Sequence, residues 1–264
     1  MLTIDTDYHV HSEFSFCATD ITLERIFQLG DGLYLAVTDH SAHQYFRPGR
    51  GWSLAREDVV DLVEEQRDYG RENLERYIAM IRALGRPEIL VGLEVDILPT
   101  GDLVFEEDLR EEFDVLIGSV HHLPSYVQGR SPAEIVAEWQ TRVCQFCDQG
   151  MDILGHPFRI FAQYGLPVSD GLIAWTVERC TAAGVALEIN SHQPSPQDDV
   201  RLIRCAREQG ARLAIATDAH ATWEFGEFSY HRQVLAAAGV ESQEEWERLN
   251  WRAVPHLDFG ASAP

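Results

Sequence analysis

Residues 7–20, DYHVHSEFSFCATD, set His9 and His11 two apart, with a thiol at Cys17 and a carboxylate at Asp20. In a β-strand, side chains at i and i+2 share a face with Cα atoms roughly 6.5 Å apart, so imidazoles so spaced can reach one object. The same spacing returns late in the chain, where TDAH at 217–220 pairs Asp218 with His220. Imidazole mixed with carboxylate suits zinc, manganese or iron. A single histidine such as His156 in GHP has an ordinary reading, a buried ring giving and taking one hydrogen bond. Two at strand spacing are a metal signal.

Seven β-like runs must position such groups: LTIDTDYHV, GLYLAVTDH, EILVGLEVDI, FDVLIGSVHH, MDILGHP, VALEINS and RLAIATDAH. Helical patterns separate most of them, for example 22–30 and 199–210, and several of these end in glycine. Strands alternating with helices predict a parallel sheet, and near-continuous apolar runs predict strands covered on both faces. The expected architecture is α/β, a distorted seven-stranded (β/α) barrel of the TIM type. Almost every run ends in ionisable residues: His9 and His11, Asp39 and His40, Glu94 and Asp96, His121 and His122, His156, Glu188, then Asp218 and His220. Active sites of such barrels lie at the C-terminal ends of the strands, so these side chains are expected to converge.

Composition narrows the chemistry. The 264 residues are 45% apolar, and we expect one barrel domain over 1–264, with a loop and helical extension at 41–85 after the second strand. The loop at 41–52 carries His43, Arg47 and Arg50 beside aromatics and is expected to line a substrate mouth; 53–85 reads as one or two amphipathic helices capped by Ser53. All 21 basic residues are arginine. Schiff-base, carbamylated-lysine and P-loop mechanisms are therefore excluded. A formal charge of −22 makes long nucleic acid a poor partner. Five cysteines without framework spacing, no basic-then-apolar leader and no long apolar run predict a reduced, cytoplasmic protein outside the membrane. Cys144 and Cys147 form a C-x-x-C, but inside a helical pattern with no second pair.

The ordered set H-x-H, TDH, GLE, GSVHH, GHP and TDAH resembles the PHP (polymerase and histidinol phosphatase) superfamily, and EIN at 188–190 with GSVHH resembles its histidinol-phosphatase branch. The resemblance implies a distorted seven-stranded barrel with two or three divalent ions, zinc, manganese or iron. It implies His9, His11, Glu94 and Asp218 on one ion, Glu94, His121 and His156 on a second, and His40 and His220 on a third. Where relatives place a further His or Asp for that third ion, this chain has Cys17, with Asp20 three residues on. Glu94 and Asp218 are then the central catalytic carboxylates, His192 and His43 candidate proton donors, and Arg159, His43 and Arg47 candidate phosphate or substrate contacts. The expected activity is hydrolysis of a small-molecule phosphate monoester, histidinol phosphate first. Nuclease or nucleotide phosphoesterase, amidohydrolase, and a non-catalytic metal-binding accessory domain are the alternatives.

Overall fold

The computed structural model describes residues 2–46, 54 and 58–252; Arg47, Arg50 and Ser53 lie outside the described residues. Seven parallel strands pair in sequence order: β1 (Thr6–Val10), β2 (Tyr34–Val37), β3 (Ile89–Asp96), β4 (Val115–Ser119), β5 (Ile153–Leu154), β6 (Ala186–Asn190) and β7 (Leu213–Ala216). Each apolar run of the sequence supplies one of them. Just beyond β7 the Asp218 amide donates to the His9 carbonyl at 2.7 Å, and the His11 amide donates to the Ala219 carbonyl at 3.1 Å. The first and last strands thereby meet, and the sheet curls into a nearly closed barrel.

Parallel neighbours need crossovers, which here are mostly helical. The helices are α1 (Leu23–Leu29), α2 (Ser41–Tyr45), α3 (Val59–Glu65), α4 (Arg67–Arg82), α5 (Pro124–Val127), α6 (Pro132–Asp148), α7 (Arg159–Gln163), α8 (Asp170–Ala183), α9 (Pro196–Gln209), α10 (Ser229–Ala237) and α11 (Gln243–Leu249). Local chemistry sets their ends. Ser131 starts α6 with a reciprocal capping box to Glu134, and Gly210 stops α9 in the left-handed region at φ 72°. The 41–52 stretch, expected as loop, opens with α2. Its first turn is satisfied from another strand: Asp96 accepts the Ala42 amide at 3.0 Å, and Ser41 Oγ accepts the Asp96 amide at 2.8 Å.

Strand parity decides which side chains enter the barrel. Ala36, Leu90, Val115, Ile117, Ile153, Ala186 and Ala214 join Tyr8 in an inner apolar layer. Further along the same parity stand Glu94, Asp96, Ser119, Glu188 and Asn190, all buried polar groups. In β1 the register shifts between Asp7 and Val10, which breaks strict alternation: Val10 packs outward, and His9 and His11 join the polar group above Tyr8. The close approach of β2 and β3 depends on Gly92, where an added Cβ would sit 2.4 Å from Thr38 Cγ2 and 3.0 Å from the Val37 carbonyl oxygen. From α4, the Tyr77 hydroxyl lies 2.8 Å from the Val37 carbonyl and 2.9 Å from that of Gly92, and accepts the Asp39 amide at 3.2 Å. One helix thus fixes the strand ends that carry Asp39, His40 and Glu94.

Candidate metal centre

Glu94, two residues beyond Gly92, is 1% exposed at the centre of the C-terminal mouth. Its Oε2 lies 2.7 Å from His40 Nδ1, 3.3 Å from His9 Nε2 and 3.8 Å from His11 Nε2. Its Oε1 lies 3.0 Å from His156 Nε2 and 3.2 Å from His121 Nε2. One carboxylate thus divides five imidazoles between its two oxygens. Asp218 stands opposite, with Oδ1 2.8 Å from His11 Nε2 and 3.6 Å from both His9 Nε2 and His220 Nδ1. All eight residues expected as ligands from the sequence, His9, His11, His40, Glu94, His121, His156, Asp218 and His220, come together here.

Carboxylates behind the imidazoles orient them. Glu188 Oε1 is 2.8 Å from His9 Nδ1, and its Oε2 accepts the His156 amide and the Asn190 side chain. Asp96 Oδ1 is 2.8 Å from His121 Nδ1. Each arrangement leaves Nε2 of the same ring aimed at Glu94, the geometry in which an outer carboxylate sets a ligand's tautomer. His156 and Asp218 hold left-handed backbone, φ 23° and 53°. Such conformations cost about 1–3 kcal/mol each and collect at functional sites.

Electrostatics follow the geometry. Burial opposes ionisation of Glu94, but His40, His9 and His121 hold its carboxyl well below the usual carboxylate range. Asp218 is treated alike: burial opposes its charge, while His9 and Arg159 hold it far down. Burial would lower His121, yet Glu94 and Asp96 lift it to about 9. His156 falls to about 4 through burial and the Arg159 charge, and His11 to about 3 chiefly through burial. The donor set fits divalent ions. His9 Nε2 and Glu94 Oε2 are fully buried and 3.3 Å apart, yet neither meets hydrogen-bond geometry with a partner among the described residues, as expected of ligand atoms directed at a third atom. Ligand atoms of His9, His11 and Asp218, of His40, Glu94 and His121, and of His11, Cys17, His40 and His220 each gather within 4.8 Å.

The remaining expected residues are placed unequally. Arg159 lies beside the cluster, but its Nη2 is engaged by Asp218 Oδ2 at 2.6 Å, Asn190 Oδ1 at 2.6 Å and the His192 carbonyl at 2.8 Å. His192 is half-buried at the rim, Nδ1 3.2 Å from Glu224 Oε1, its ring stacked on His220 at 4.4 Å. His43 is not at the opening: it is 2% exposed, accepts the Phe16 amide at 3.0 Å and stacks on the Phe16 ring. Asp20 is exposed and accepts the Thr222 amide at 2.8 Å, away from the cluster. His122 joins none of the groupings, and Arg47 lies outside the described residues. Glu188 and Asp96 stood among the strand-end residues without a role, Asn190 was read only as part of the EIN motif, and Glu224 carried no sequence signal beyond proximity to TDAH.

Residues 7–192 match the PHP domain family, and the chain belongs to it. It is 29% identical over 223 residues to a DNA polymerase/3'-5' exonuclease, PolX, of Bacillus subtilis (strain 168), a match that covers 82% of this chain and 34% of the relative. A probable phosphatase of Thermoanaerobacter sp. (strain X514) is 27% identical over 163 residues, 58% of this chain and 61% of the relative. A probable phosphatase of Shewanella sediminis (strain HAW-EB3) is 26% identical over 157 residues, 57% and 59% of the two chains. The matches thus span less than two thirds of each of these relatives.

Proposed function

We propose that the protein is a metal-dependent phosphatase acting on a small-molecule phosphate monoester, with histidinol phosphate the first candidate. The reading rests above all on Glu94, whose two oxygens face separate sets of imidazoles within one buried mouth. His9, His11, Glu94 and Asp218 would hold one ion, Glu94, His121 and His156 a second, and His40 and His220 belong to a third. Bound divalent ions supply a nucleophile near neutral pH and charge to accept phosphoryl oxygens.

The chain's own groups complete the reaction. Arg159 fixes Asp218 through Nη2, and its Nε, buried and without a hydrogen-bond partner among the described residues, is a donor that a phosphate oxygen would satisfy. His192, with Nδ1 toward Glu224, presents Nε2 as the atom to carry a proton to the leaving alcohol. No lysine exists for the amidohydrolase alternative. The DNA polymerase/3'-5' exonuclease relative of B. subtilis supports a second reading, nucleotide or exonuclease chemistry, against which the charge of −22 weighs for long strands.

No helix among the described residues is long and apolar enough to cross a membrane. All five cysteines are unpaired, which supports placing the protein, read as one barrel unit over 1–264, in a reducing cytoplasm. The test is a panel of esters offered to metal-loaded protein: histidinol phosphate, other small monoesters, mononucleotides, a phosphodiester and an oligonucleotide. Monoesters should be hydrolysed in preference to diesters, with inorganic phosphate a competitive inhibitor. Diester or oligonucleotide cleavage without monoester hydrolysis would transfer the assignment to the second reading.

A further inference from the structure

Beside the Glu94 cluster, the segment after β1 brings sulfur against two imidazoles. The Cys17 Sγ and one ring nitrogen each of His40, His220 and His11 lie within 4.8 Å of one another. Its segment is fastened on both sides: the Thr19 amide donates to the His220 carbonyl at 2.8 Å, and Ser15 Oγ accepts the His40 amide at 3.1 Å. Cys147 and Cys180 belong to the apolar core and Cys205 packs against it; Cys17 and Cys144 do neither, and of these two it is Cys17 that stands among imidazoles. Asp20, the other candidate, is committed to Thr222.

We propose that Cys17, His40 and His220 form a sulfur-bearing ion site that prefers zinc to manganese or magnesium. The proposal rests on the reading that this mouth binds ions at all. His11, which also borders the group, already faces Asp218 Oδ1 at 2.8 Å and is assigned to the neighbouring ion. Two imidazoles and a thiolate make a soft donor set with a fourth position open, as in three-ligand zinc sites; hard cations favour carboxylate and water instead. The Glu94 groupings have only nitrogen and oxygen donors. The chain would therefore hold two kinds of site side by side, and an excess of manganese would displace ions around Glu94 while zinc stays at Cys17.

Cobalt(II) reports sulfur ligation by a charge-transfer band in the near ultraviolet, with no need of turnover. Protein stripped by chelator and reloaded with cobalt should show that band; Cys17→Ser should lose it together with one ion per chain, whereas Cys147→Ser and Cys205→Ser keep it. Dialysis against manganese should leave one zinc per chain in the parent protein, and Cys17→Ser should bind that zinc at least about tenfold more weakly, since even outer-shell changes cost 10–100-fold. Cys17→Asp, checked for native circular dichroism, should regain the ion without the band and admit manganese. Cobalt bound with no band, or a band surviving in Cys17→Ser, overturns the proposal while leaving the Glu94 reading in place. A chain that takes up no cobalt overturns both.

Discussion

Arg159 was expected to meet phosphate, and its surroundings give it a second duty. Its Nη2 bonds to Asp218, whose other oxygen faces His11, and both partners are largely buried. Removing one member of a buried ion pair strands the other, at a cost of about 3–5 kcal/mol. Arg159→Ala should therefore do more than raise KM for a phosphate monoester. It should also weaken ion binding by about 10–100-fold, because Asp218 loses the partner that orients it. Measuring KM at saturating metal, and metal affinity without substrate, separates the two effects; a raised KM with unchanged ion affinity would leave Arg159 as a substrate contact alone. That His9 with His11 and Asp218 with His220 would meet was legible in their spacing at the ends of apolar runs, and the resemblance supplied His40, Glu94, His121 and His156 as their companions. The part that Glu188 and Asp96 play behind the imidazoles was not legible, since Glu188 meets His9 across 179 positions and Asp96 meets His121 across 25.

At the scale of elements, α10 is tied to the barrel by a histidine outside the metal cluster. His231 is fully buried, with Nε2 3.1 Å from the Ile189 carbonyl of β6 and 3.0 Å from the Ala216 carbonyl of β7. Burial lowers its pKa to about 4 from an ordinary value near 6.5. Between those values the unfolded chain takes up the proton and the folded chain does not, so the stability it contributes is present above pH 6.5 and lost as pH falls toward 4. The shift corresponds to about 3 kcal/mol. Urea unfolding of the parent and of His231→Gln across this window should show the parent losing stability with acid more steeply; parallel profiles would contradict it. All seven strands were legible as apolar runs, even β5 with two residues, because burial on both faces leaves a continuous signature. Helix α2 was not, because its first turn is satisfied by Asp96, a residue of another strand.

The whole molecule carries a formal charge of −22 around a mouth that must itself take an anion. Local cations have to overcome that field, and self-repulsion should make stability rise with salt, as the Debye length shrinks from about 30 Å at 0.01 M to about 3 Å at 1 M. A gain of about 1 kcal/mol would raise Tm by about 2–4 °C for a chain of this size, and a Tm that falls with salt would contradict it. Barrel closure from β1 to β7 is what unites residues 9 and 218, and it was readable only as the architecture that alternating strands and helices demand. The central claim is that hydrolysis depends on ions gathered around Glu94. Chelator-stripped protein, titrated with zinc or manganese, should be assayed for phosphate release from a monoester while bound ions are counted in the same samples. We predict no release from the stripped chain, activity appearing as the second ion per chain binds, and loss of both in Glu94→Gln. Phosphate release unaffected by stripping, or no release from any monoester with two or three ions bound, would contradict the account.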